Sequence, residues 1–113
     1  MSRDEVYLLD ILDAAKLALE YVHGKSRDEF LRDTQLQDAV IRRLAIMGEA
    51  ARRVSDAARE AIPGLPWRQM VGMRNIVIHE YDDVDLSVVW DAVARDLPPL
   101  VDELGRKLPP AEP

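Results

Sequence analysis

The sequence predicts an all-α fold. Apolar residues recur at helical spacing along nearly the whole 113-residue chain, and Ser or Asp caps open the recurrences. Breaks rich in Gly and Pro close them, and no segment alternates with the two-residue period of a strand. The expected architecture is an antiparallel bundle of four main helices and a short C-terminal one. It forms a single domain over residues 1–108, followed by a flexible tail at 109–113.

The first helix opens at a capping box, Ser2 with Glu5, and runs to His23, where Gly24 stops it. Leu8, Leu9, Leu12, Ala15, Leu19 and Val22 form its apolar stripe. A second start lies at Ser26 with Glu29. Asp33 or Thr34 then caps a long helix to about Ala61, with Leu36, Val40, Leu44, Met47, Ala51 and Val54 on one face. Pro63-Gly64-Leu65-Pro66 breaks the chain. Trp67 to about Ile78 is the third main helix, with Pro66 suited to its first turn. Asp85 caps the fourth, with Leu86, Val89, Trp90, Val93 and Leu97 inward. Pro98-Pro99 interrupts it, and Leu100 to Lys107 is the short last helix.

Apolar residues make up 48% and charged residues 32%, which describes a globular chain with one core. There is no cysteine, so disulfides and thiolate metal sites are excluded. No apolar stretch reaches membrane-span length, and Met1-Ser2-Arg3-Asp4-Glu5 does not read as a signal peptide, so a cytoplasmic location is expected. The net charge of -6 excludes a generically basic nucleic-acid binder. Any RNA contact needs a local patch, for which Arg42, Arg43, Arg52, Arg53 and Arg68 are the candidates, with Arg59 beside them. On a bland reading these arginines are a solvated face, and Trp67 and Trp90 are core or interface anchors.

The segment with the most chemistry is Arg74-Asn75-Ile76-Val77-Ile78-His79-Glu80-Tyr81. Histidine is the side chain whose ordinary pKa suits proton transfer near neutrality, and His79 is one of only two. Arg74 is a permanent cation whose planar fork fits phosphate oxygens. Together they suffice for phosphodiester chemistry without a metal or cofactor. Glu80, Asp82, Asp83 and Asp85 lie nearby, but one histidine with scattered acids is no familiar ligand spacing. His23, at a helix end, reads as structural.

Residues five apart on an α-helix are separated by about 140° around the axis. Arg74 and His79 therefore share no face of an ideal helix. Either the helix loosens before His79, a change that Asp82 and Asp83 just beyond it favour, or the two groups meet across a two-fold axis. A homodimer would bring both copies into one groove, larger than a bundle of this length can form alone.

Arg74, Asn75, His79 and Tyr81 resemble the R-x4-H-x-Y signature of HepT-type toxins in the HEPN superfamily. The flanks agree: Asp38-Ala39-Val40, Arg43-Leu44 and Gly48-Glu49-Ala50-Ala51 before the motif, and Pro66-Trp67-Arg68 with Val71-Gly72-Met73 leading into it. Val84-Asp85-Leu86, Val89-Trp90 and Asp96-Leu97-Pro98 come after it. The resemblance covers roughly residues 5 to 107.

The resemblance implies a HEPN-like fold and the toxin of a type VII-like toxin–antitoxin pair. Such toxins are metal-independent endoribonucleases paired with a minimal nucleotidyltransferase antitoxin. It assigns catalysis to Arg74 and His79, and makes Tyr81 the acceptor of AMP from the partner. Asn75 and Glu49 are expected to support the site. The alternative is a non-catalytic helical dimer that binds nucleotide or a partner and acts with a nucleotidyltransferase. The acidic net charge favours that alternative mildly, while the pairing of a cation with a proton-transfer group favours the nuclease.

Overall fold

The computed structural model describes the backbone of residues 2–79 and 85–108 and the side chains of residues 2–73 and 85–108. All regular structure in these residues is helical. Helix α1 (Arg3–Val22) is capped by Ser2, whose Oγ accepts the Glu5 N–H at 3.1 Å. The chain leaves it through Gly24 at φ 75°, a left-handed conformation that glycine adopts without a Cβ penalty. Helix α2 (Arg27–Arg32) carries the complete capping box: Ser26 Oγ accepts the Glu29 N–H, and Glu29 Oε1 accepts the Ser26 N–H, both at 3.1 Å. Asp33 caps α3 (Thr34–Arg53) through the Leu36 N–H at 3.0 Å.

The long helix expected to reach Ala61 ends at Arg53. Val54 and Ser55 are extended, and Ser55 starts a separate helix, α4 (Asp56–Ala61), by accepting the Ala58 N–H. Asp4, at the start of α1, holds the break open. Its carboxylate accepts the Ser55 N–H at 2.9 Å and the Ser55 hydroxyl at 2.7 Å. These two bonds lower the Asp4 pKa, the hydroxyl contributing more than the amide. They also show that α1 begins where α3 ends, so the two helices run antiparallel. Their buried arcs are rich in small residues, Ala14, Ala15 and Ala18 on one and Gly48, Ala50 and Ala51 on the other, which allows close approach.

The Asp4–Ser55 bonds have a consequence in acid. A carboxyl with a depressed folded pKa contributes stability above its unfolded pKa, and that contribution disappears as pH falls through the folded value. The urea midpoint should therefore fall as pH drops below the ordinary carboxylate range of about 4. Asp4→Asn, neutral at every pH, should flatten part of that slope. Glu29 and Asp85, whose pKa values are lowered by bonds to Ser26 and Ser87 respectively, keep the remainder. An unchanged slope in Asp4→Asn would show that the bonds at Ser55 do not couple to folding.

After the Pro63–Pro66 break, α5 (Trp67–His79) starts with the Pro66 carbonyl accepting the Met70 N–H at 2.9 Å. It packs along α3, running back from that helix's C-terminal end. Asp85 caps α6 (Leu86–Asp91) by accepting the Ser87 and Val88 N–H groups. Pro98 and Pro99 do not separate α6 from the last helix. A π turn (Ala92–Asp96) leads directly into α7 (Leu97–Lys107), with the Leu97 N–H donating to the Ala92 carbonyl. Proline lacks an N–H, and its ring clashes with the carbonyl four residues back. The wider turn ahead of Pro98 and Pro99 relieves that conflict, and the prolines occupy the first turn of α7, where no N–H is needed.

The core runs between α1, α3 and the C-terminal helices. Ile11, Val40, Leu44, Met47, Val89, Val93, Leu97 and Leu104 are among its largest fully buried side chains. Phe30 of α2 is fully buried, with its ring 5.6 Å from that of Trp90 on α6. Among the described residues no helix is long and apolar enough to cross a membrane.

Candidate functional site

Three of the motif residues, Arg74, Asn75 and His79, are carried by α5. Arg74 and Asn75 sit in its middle and His79 is its last residue. Their side chains, and Tyr81 with its neighbours Glu80, Asp82 and Asp83, lie outside the described residues. The α-helix continues through His79 without loosening before it. The separation of about 140° between Arg74 and His79 therefore persists in the fold. On the backbone of one α5 the two positions fall on different faces.

Two buried methionines, Met70 and Met73, seat α5 in the core. Its first residue is fixed by polar contacts. The Trp67 indole N–H donates to the Ile62 carbonyl at 3.0 Å, and the Arg59 guanidinium lies 5.7 Å from the Trp67 ring centroid. Arg59 Nη2 also donates to the Ala51 carbonyl at 2.9 Å, which accepts the Val54 N–H as well, and to the Arg52 carbonyl at 3.3 Å, both in the last turn of α3. By sequence Arg59 reads as a member of a solvated cationic face. Its bonding depends on the break at Val54–Ser55, and no spacing in the sequence announces it.

The candidate basic patch divides along α3. Near the end where α5 starts, Glu49 Oε1 accepts from Arg52 at 2.8 Å and from Arg53 at 3.2 Å. The Tyr7 side chain and then Glu49 raise the Arg53 pKa further, so its charge is held in an ion pair. Such partly exposed pairs add little stability, but they do reduce the positive field available to a phosphate. Arg42 and Arg43 lie on the half of α3 toward which α5 runs, and Arg42 is exposed. Arg43 is half-buried, with its Nε sequestered and unpartnered. Arg68 is exposed in the first turn of α5. Arg42 on α3 and Arg68 at the start of α5 are thus exposed candidates outside the Glu49 ion pairs.

Residues 11–106 match the family described as "Ribonuclease HepT-like", which includes α5 and the whole motif. Among curated proteins, one described as "Putative RNase" in Methanocaldococcus jannaschii is 39% identical over 106 residues, covering 92% of this chain and 97% of that protein. One described as "Probable ribonuclease HepT" in Thermococcus cleftensis is 40% identical over 94 residues, covering 83% of this chain and 86% of that protein. No solved structure matches the chain. With a family match across most of its length and relatives that it spans nearly end to end, this chain belongs to the HepT-like ribonuclease family.

Proposed function

We propose that the protein is a metal-independent endoribonuclease, the toxin of a type VII-like toxin–antitoxin pair, acting through Arg74 and His79 in a groove shared by two copies. Family membership and the names of the relatives support RNA cleavage. The observation that carries the shared groove is the unbroken α5, which keeps Arg74 and His79 on different faces of one copy. A two-fold axis beside α5 would set the Arg74 of one copy against the His79 of the other. The proposed unit is one helical domain over residues 1–108, paired as a homodimer in the cytoplasm.

The chemistry is that of the side chains. The His79 of one copy, beside the Arg74 of the other, takes the proton from a ribose 2′-OH as its oxygen attacks the adjacent phosphorus, and water returns a proton to the departing 5′-oxygen. Arg74 offsets the charge that builds on the phosphoryl oxygens. Asn75 orients the imidazole or a phosphate oxygen, and Glu49 supports the groove from α3. The products are a 2′,3′-cyclic phosphate and a free 5′-hydroxyl. The test is cleavage of RNA in a chelator with end-group analysis. Equal cleavage of DNA, which has no 2′-OH, would exclude this route.

Control is assigned to Tyr81, two residues beyond His79. An AMP group there adds bulk and a negative phosphodiester at the mouth of the groove, and both oppose entry of RNA. A partner nucleotidyltransferase supplies it from ATP, the Tyr81 oxygen bonding to the α-phosphorus as pyrophosphate leaves. Co-expression with the partner should add one or more AMP masses to the intact protein and abolish cleavage. Tyr81→Phe should keep its original mass and its toxicity. Neutralisation with no mass gain would mean that the partner acts by binding alone.

A further inference from the structure

The described part of the helix that carries the motif, Trp67 to Met73, is buried through side chains that fix position poorly. Methionine is long, unbranched and adaptable, so Met70 and Met73 fill space beneath α5 without defining its rotation. Gly72, between them in sequence, adds no side chain, and a Cβ there would meet nothing within 4 Å. Among the described side chains of α5, Trp67 to Met73, directional contacts are concentrated at the first residue. Trp67 is bonded through its indole N–H to the Ile62 carbonyl and covered by the Arg59 guanidinium, which is itself bonded to the last turn of α3. Arg59 holds this position although its Nε is buried without a partner. Its location is therefore fixed by the ring and the two carbonyls rather than by complete satisfaction of its own donors.

We infer that Arg59 and Trp67 form a clamp that sets the rotation and axial position of α5 on α3, which makes Arg59 a positioning residue for Arg74 and His79. Arg74 lies seven residues, about 10 Å along the axis, from Trp67. A helix rotation of about 10° moves a group about 6 Å from the axis by about 1 Å, a displacement large enough to slow a reaction by orders of magnitude. The consequence for catalysis rests on the proposed ribonuclease activity, whereas the consequence for helix position does not.

The experiment uses the full chain, at a temperature where circular dichroism shows every variant folded. The sequence has two histidines, so the imidazole resonances of His23 and His79 can be followed separately by NMR. Arg59→Met keeps the aliphatic stem and removes the guanidinium. It should move the His79 resonances, leave those of His23 in place, and lower kcat for RNA about ten-fold with KM within about two-fold. Trp67→Phe retains a ring for the cation but loses the bond to Ile62, and should act in the same direction less strongly. It also serves if Arg59→Met does not fold. Arg59→Lys, with a charge but no fork, should restore part of the loss. Unmoved His79 resonances in both folded variants, with parental kcat and only a lower Tm, would overturn the clamp and leave the nuclease reading intact. A shift of His79 in a protein whose parent cuts no RNA would support the clamp and overturn the nuclease reading.

Discussion

Replacing His79 by alanine is expected to slow RNA cleavage by roughly two orders of magnitude or more, the scale of losing a positioned acid or base. Arg74→Ala is expected to cost a similar factor by removing the cation that offsets charge on the phosphoryl oxygens. Both changes lie on one helix and have different chemical consequences. His79→Ala should abolish the dependence of rate on a group titrating near neutrality, whereas Arg74→Ala should keep that dependence at a lower rate. Cleavage by either variant at the parental rate would disprove the site assignment.

Mixing the two variants tests the shared groove. Suppose each site takes Arg74 from one copy and His79 from the other. A dimer of one His79→Ala chain and one Arg74→Ala chain then has one intact site and one doubly impaired site. Random exchange makes half of the dimers mixed, so activity should recover to about a quarter of the parent. Two inactive variants that stay inactive after exchange would mean that the pair works within a single copy. α5 would then have to depart from the helical geometry it shows as far as His79.

Local rules of sequence are sufficient for most helix starts. Ser2, Ser26, Asp33 and Asp85 each cap where hydroxyl or carboxylate chemistry and the adjoining apolar spacing place them. The two departures arise where a distant or collective effect wins. Ser55 reads as a residue inside a long amphipathic run, and it becomes a cap because Asp4, 51 positions earlier, bonds it in the extended conformation. Pro98-Pro99 reads as a stop because proline disrupts an α-turn, but a π turn ahead of it absorbs the conflict and the helix goes on. Of the motif, the placement of Arg74 and Asn75 on one helix is readable as periodicity. Partners are less readable. Arg52 and Arg53 share Glu49, and Arg59 leaves the expected cationic face for carbonyls and an indole, because those pairings depend on how α3 ends.

The largest expected loss of stability comes from Phe30→Ala. Phe30 is the only phenylalanine in the chain and is 0% exposed, although it sits on a helix of six residues. A helix that short has little stability of its own, so α2 depends on tertiary contacts. Two are visible. The Phe30 ring packs against Trp90 of α6 at 5.6 Å with the planes tilted by 40°, and its carbonyl accepts Gln37 Nε2 at 3.0 Å. Truncation to alanine removes the first and leaves a cavity between α2, α3 and α6, at a cost of about 3–5 kcal/mol. A domain of this size has a total stability of about 5–15 kcal/mol, so the loss is a large fraction. At about 4 °C per kcal/mol for this length, Tm should fall by about 12–20 °C. Phe30→Leu fills most of the volume and should lose much less. A drop of only a few degrees in Phe30→Ala would show that α2 folds back over the cavity, and that the ring pair with Trp90 does not anchor it.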